Sequence, residues 1–284
     1  MKQRFLYISL LFSILSEYGV AQTSAATDIT SMKAKSDSFF KFERSIPGDY
    51  IYLNVDMLDN IYLITSGNQL KKLSSNGDSL AAFNDVKKYG NPTYIDVNNP
   101  LKILVYYKNY STVVILDRLL TVRNTINLRK QNIFSVQAIA TSYDNNIWVF
   151  DEQDLKLKKI NEEGTLIQES SDMRLLVDPV PTPQLLIDND NLVYLYDDKK
   201  GFYIFDYYGA LKNTLPFLNW SDIAISNKKM MGFSANKLFN YELKSLNLKT
   251  YVLPAFFKDY NTIKAVNGKV YLLKKDAVEI YSVQ

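Results

Sequence analysis

DNNIWVF, residues 144–150, decides the fold. An aspartate and two asparagines run into four apolar residues, and nearly the same phrase returns at DNIYLI (59–64) and DNLVYLY (190–196). Asn and Asp tolerate the positive φ that tight hairpins need. A run of four or five apolar residues suits a strand covered on both faces. The phrase therefore reads as a hairpin turn feeding a doubly buried strand, and its return reads as a structural repeat.

Working outward from the large residue after each turn gives Tyr62, Trp148, Tyr194 and Tyr271, with weaker copies centred on Leu104 and Gly232. The successive spacings are 42, 44, 46, 38 and 39 residues, a period that recurs through six copies. Each copy has the same internal order. A strand of mixed character comes first, as in DYIYLNVD (49–56) or NWSDIAIS (219–226), followed by the polar turn and the apolar strand. A third strand follows, such as LKLKKIN (155–161) or GFYIFDYY (201–208). Another turn and a more polar fourth strand close the unit, and polarity suits a solvent-facing outer edge. Four antiparallel strands repeated radially make a β-propeller blade, so the expected fold is an all-β, six-bladed propeller. The sixth copy ends after three strands. SFFKFERSI (38–46) precedes the first full unit and is expected to pair with 277–283, closing the ring. A sandwich or two stacked barrels would not require six regular units.

DNIYLI…LKKLSSNG and DNNIWVF…LKLKKINEEG resemble NHL-type repeats, which run turn, aromatic strand, second strand and an NxxG-like turn. The resemblance is clear in the first, third and fourth units and weaker in the second and fifth. Propellers of this type bind proteins, RNA or small ligands, and some relatives are enzymes, so the fold does not choose the function.

The chain has 284 residues, no histidine and no cysteine, and a net charge of +3. That charge is too small to suggest nucleic acid as a partner. The missing imidazoles remove the usual general base and the Ser-His-Asp arrangement. The missing thiols remove cysteine nucleophiles and cysteine-based metal sites. No cofactor or metal is expected. Asp188-Asn189-Asp190-Asn191 has an EF-hand flavour, but Val193 and Lys199 stand where that loop needs Gly and Glu, so it reads as a turn. Ser226 and Lys229 share the spacing of S-x-x-K but fall on a strand end and a turn rather than a helix. A metal-dependent lactonase or esterase would draw on the starts of the inner strands, Asp49, Asn91, Thr93, Gln137, Gln184, Asn219, Ser221 and Asn261, which hold amides but a single acid.

Lys2 and Arg4 precede an apolar run, Phe5 to Leu15, and Gly19-Val20-Ala21 then supplies small residues. This reads as a signal peptide, residues 1–21, cleaved between Ala21 and Gln22. Residues 22–36 form a polar lead-in, and 37–284 the propeller domain. The composition and the cleavage site resemble those of periplasmic proteins of the Bacteroidota. Asp78-Ser79-Leu80 resembles the short O-glycosylation site of that group, with Ser79 as acceptor. Tyr207, Tyr208 and Trp220 are the candidate interaction surface, because aromatics outside the buried strand suit recognition. The expected function is a non-catalytic protein-binding scaffold or accessory subunit of an envelope assembly. It would be exported, periplasmic or outer-membrane associated, monomeric when free, and without a transmembrane segment in the mature chain. A carbohydrate- or small-ligand-binding propeller is the alternative, and a metal-dependent lactonase- or esterase-like hydrolase comes after it.

Overall fold

The computed structural model describes residues 40–283. The expected signal peptide, its Ala21–Gln22 cleavage site and the lead-in lie outside the described residues.

Six four-stranded antiparallel sheets are present, five of them meanders of consecutive strands. Blade 1 covers residues 50–83, blade 2 94–127, blade 3 136–169, blade 4 185–215 and blade 5 221–252. Blade 6 takes its three inner strands from 260–283. Its outermost strand is Phe40–Pro47, paired antiparallel with Ala277–Val283 from Phe40↔Val283 to Pro47↔Ala277. The first and last described strands thus share a sheet, and the ring closes as expected. Aromatic contacts reinforce the seam. Phe40 meets Phe257 edge-on at 4.7 Å, and Phe42 meets Tyr281 at 5.5 Å.

The core is divided among six apolar clusters, one at each seam between adjacent blades. Doubly covered second strands explain this. Each sends alternate side chains to its two neighbouring blades, as the period of two requires. The repeat residues Tyr62, Leu104, Trp148, Tyr194 and Tyr271 are all at most 1% exposed. The fifth position is Gly232 for a steric reason. Trp220 lies over it, and a Cβ there would sit 2.5 Å from the indole.

The hairpins between first and second strands are tighter than the sequence phrases suggest. Asp190-Asn191, Asn227-Lys228 and Asn267-Gly268 are two-residue turns with positive φ at both positions, the type that matches strand twist. Asn189, Lys229 and Lys269 belong to the flanking strands instead. The turns between third and fourth strands share a different device. The Oδ1 of Asp117 accepts from the amides of Leu119 and Thr121, both at 2.8 Å. Asn161 does the same for Glu163 and Thr165, and Asp206 for Tyr208 and Ala210. This is the physical content of the NxxG-like pattern. One side-chain oxygen satisfies two amides, and a left-handed residue (Gly164 or Gly209) closes the loop. The residue two places after the acceptor has nowhere to point but outward.

Candidate functional site

In a meander the first-to-second and third-to-fourth turns lie at the same end. All such turns therefore share one face of the disc, here the turn face. Contacts between neighbouring blades confirm this. Asn267 reaches Asp59 at 2.9 Å, Asn99 reaches Asn145 at 3.3 Å, and Lys228 lies 3.5 Å from Asp190. Eight large apolar residues among the described ones are at least 60% exposed. Seven lie on the turn face: Met57, Leu58, Leu101, Leu119, Tyr143, Tyr208 and Leu246. The eighth, Leu175, is at the opposite face. Leu58, Leu119 and Tyr208 are each the residue two places after an aspartate whose oxygen caps the turn. The turn geometry itself thrusts them into solvent.

The most organised part of this face is the junction of blades 3 and 4. Asp188, near the end of the first strand of blade 4, accepts three side-chain hydrogen bonds. They come from Tyr207 Oη at 2.6 Å, Trp148 Nε1 at 2.9 Å and Ser142 Oγ at 3.0 Å. Burial raises the pKa of this carboxyl. The three donors and the Tyr143 amide pull it down, and the net position is above the ordinary aspartate range. Burial and the adjacent Asp188 push the Tyr207 phenol far up, so it stays a donor. Tyr143 stacks parallel on Tyr207, with centroids 4.6 Å apart and planes 8° apart. Beneath them the Lys159 ammonium lies 4.8 Å from the Trp148 ring centre and 5.2 Å from that of Tyr207, within cation–π reach. Lys159 also pairs with Asp144 at 2.6 Å. Burial pushes Asp144 up, but the Lys159 ammonium and donors from Asn146 and Ser142 hold it below its ordinary range. A cleft of about 290 Å³ opens beside this stack, with Tyr143 and Tyr207 on one side and the Asn98 and Asn189–Asn191 turns around it.

Polar side chains of the first strands face the axis of the ring. Burial raises Tyr52, which senses both Asp96 of blade 2 and Asp222 of blade 5. Blades 1 and 5 are not neighbours, so this influence acts across the axis. Asp222 pairs with Lys264 at 3.5 Å, and Tyr52 Oη donates to the Ile95 carbonyl at 2.9 Å. Near the opposite face two of the inner-strand amides are used internally. Gln137 accepts from Lys108 Nζ, and Gln184 accepts from the Asp198 amide at 3.0 Å. Among the described residues no three His, Cys, Asp or Glu side chains come together as a metal site would require.

The three aromatic candidates separate. Tyr208 is 86% exposed. Tyr207 is partly buried and serves as the wall of the cleft. Trp220 is only 6% exposed, which corrects its grouping with the surface residues. Its ring is clasped between Phe217 at 4.7 Å and Phe239 at 5.2 Å, and it fills the space left by Gly232. Ser79 is exposed at the start of the outermost strand of blade 1. Tyr143, Asp188 and Lys159 had no separate signal in the sequence. Tyr143 stands immediately before the DNN turn, where an aromatic has no local structural use, and that was the available clue.

No protein-family model matches the chain, and no curated protein matches it by sequence. Solved structures do. The chain is similar to the catalytically inactive histidine-to-alanine form of virginiamycin B lyase from Staphylococcus aureus with quinupristin (TM-score 0.56, 14% identity, 83% of this chain and 80% of that one). It is similar to the Pan2 WD40 domain of Neurospora crassa (0.60, 10%, 86% and 95%). It is also similar to a protein of unknown function from Bacteroides thetaiotaomicron (0.59, 10%, 86% and 72%). At these identities the likeness is one of fold. The chain is a six-bladed β-propeller with four antiparallel strands per blade. Among the described residues no helix is long and apolar enough to cross a membrane.

Proposed function

We propose that this protein is a non-catalytic binding platform that docks a partner protein on its turn face, as an accessory subunit of a bacterial envelope assembly. One observation carries the reading: among the described residues, seven of the eight most exposed large apolar side chains gather on that face. Rigid scaffolds present recognition residues on loops, and exposed aromatic and aliphatic side chains form the anchors of protein interfaces. Tyr208 and Leu58 are the foremost anchors. The NHL-type character rests on the turn device shared by Asp117, Asn161 and Asp206. The envelope location rests on the signal-like sequence of residues 1–21, and glycosylation at Ser79 belongs to the same reading.

Two points support binding over catalysis. The chain has no histidine and no cysteine, whereas the lyase it is similar to is described as inactive once a histidine becomes alanine. Two of the amides at the inner-strand starts, Gln137 and Gln184, are also engaged by their own chain.

The test is purification of the tagged protein from its native cell envelope after lysine cross-linking, read by mass spectrometry. A stoichiometric membrane-associated partner, cross-linked through Lys228, Lys244 or Lys269, is expected. Tyr208→Asp with Leu58→Asp should abolish its recovery with the melting temperature unchanged. Recovery of a bare monomer, or cross-links confined to the opposite face, would sink the proposal.

A further inference from the structure

The cleft between blades 3 and 4 has a chemistry of its own, independent of the protein partner. Its ring wall is held rigidly. Tyr207 is pinned by its 2.6 Å bond to Asp188, and Tyr143 lies flat against it while remaining 67% exposed. An immobilised ring loses little entropy when a ligand stacks on it. Asn98 and Asn191 line the same cleft. Among the described residues neither side-chain amide has a hydrogen-bond partner, although the Asn98 backbone amide is satisfied by Asp96. Each amide offers two donors and an acceptor, a match for vicinal hydroxyl groups, which give and take hydrogen bonds at neighbouring positions.

The charges nearby are all committed. Asp188 receives three donors, Lys159 is paired with Asp144, and Asp190 faces Lys228 at 3.5 Å. A cation would find no free carboxylate pair, and an anion no free ammonium. At about 290 Å³ the cleft is at the small end of ligand sites, which suits a single ring rather than a helix or strand of a partner. A flat aromatic wall, uncommitted amides and balanced charge together describe a neutral, polyhydroxylated ring with an apolar C–H face.

The geometry points to a sugar-binding subsite in which one neutral hexose or pentose unit of a glycan stacks on Tyr143, with its hydroxyls held by Asn98 and Asn191. Because Tyr143 is also among the exposed turn-face residues, the glycan would be bound at the edge of the docking face, where it can belong to a glycosylated partner or to free oligosaccharide.

The experiment is a screen of the purified protein on an array of neutral and acidic oligosaccharides, followed by calorimetry with the best binder. Binding to neutral glucose-, galactose-, mannose- or xylose-containing chains is expected. Tyr143→Ala and, separately, Asn191→Ala should each weaken binding at least tenfold. Both residues are exposed, so the melting temperature should not move, and a thermal scan checks that the variants are folded. Binding that survives both substitutions, binding of acidic chains only, or no binding on the array would overturn the inference. None of these outcomes depends on whether cross-linking finds a protein partner, so the two proposals fail separately.

Discussion

Blades 3 and 5 fill the same position of the repeat in opposite ways. In blade 3 the second strand carries Trp148, whose cross-strand neighbour is Lys159. In blade 5 the second strand carries Gly232, whose cross-strand neighbour is Phe239. The indole has not been lost there. Trp220, just before the first strand, lies over Gly232 and stacks on Phe239 at 5.2 Å. One residue along, blade 3 buries the Lys158–Asp151 ion pair at 2.8 Å. The equivalent positions of blade 5, Leu238 and Ala235, carry no charge. The repeat therefore specifies a volume to be filled at each seam, and neither the residue nor its chemistry. Close packing demands the volume; the chemistry is free to vary. At the junction of blades 3 and 4 that freedom brings a buried lysine and indole beneath two stacked tyrosines.

The largest expected effect tests the buried charge. Lys158→Met leaves Asp151 without its cation in the interior and should cost about 3–5 kcal/mol of unfolding free energy, measured by chemical denaturation. Leu238→Met at the matching site of blade 5 should cost less than about 1.5 kcal/mol. Importing the uncharged residues of blade 5 into blade 3, as Lys158→Leu with Asp151→Ala, should recover most of the loss. A double variant as unstable as the single one would show that the two blades are not interchangeable.

A smaller effect tests the shared volume. Gly232→Leu restores the large residue of the other repeats but collides with Trp220, and should destabilise by about 1–3 kcal/mol. In the background of Trp220→Ala the same substitution should instead be favourable, since it refills the hole. Opposite signs in the two backgrounds are the expected result of the double-mutant cycle. The same sign in both would mean that Trp220 is not what excludes a side chain at position 232.

The smallest effect separates two carboxyls of the blade 3–4 junction by pH. Asp144 is held below its ordinary range, so its contribution is present above the unfolded value, about 3.9, and is lost as pH falls through the folded one. The stability difference between the parent and Asp144→Asn should therefore shrink toward acid from about 0.2–1 kcal/mol at neutrality. Asp188 is raised by burial, so its ionisation opposes folding, and its relative contribution is greatest in acid and declines as pH rises through the folded value. The parent minus Asp188→Asn curve should slope the other way. Parallel curves would refute the assignment of the two environments.

Much of this molecule was legible from local pattern. Turn phrases, doubly buried strands and polar outer strands are properties of residues adjacent in the chain, and the backbone's preferences act over that distance. Six copies at one period left little else to build. The ring closure was legible too, because the sixth unit lacked a strand and residues 38–46 supplied one. The departure at Gly232 was visible, but its cause was not. Trp220 lies twelve residues away and reaches Gly232 only after the first strand of blade 5 has folded back.

The sequence by itself determined the architecture, the absence of imidazole and thiol chemistry, and Tyr208 as an exposed residue, since a capped turn forces that side chain outward. Only the tertiary structure decided the cleft. Asn98, Tyr143, Asp188 and Tyr207 belong to three blades and are separated in the chain by 45, 45 and 19 residues. The chain's local rules are silent about what one blade presents to the next. Radial packing brings these turns side by side, and it turns a tyrosine with no local use into the wall of a site.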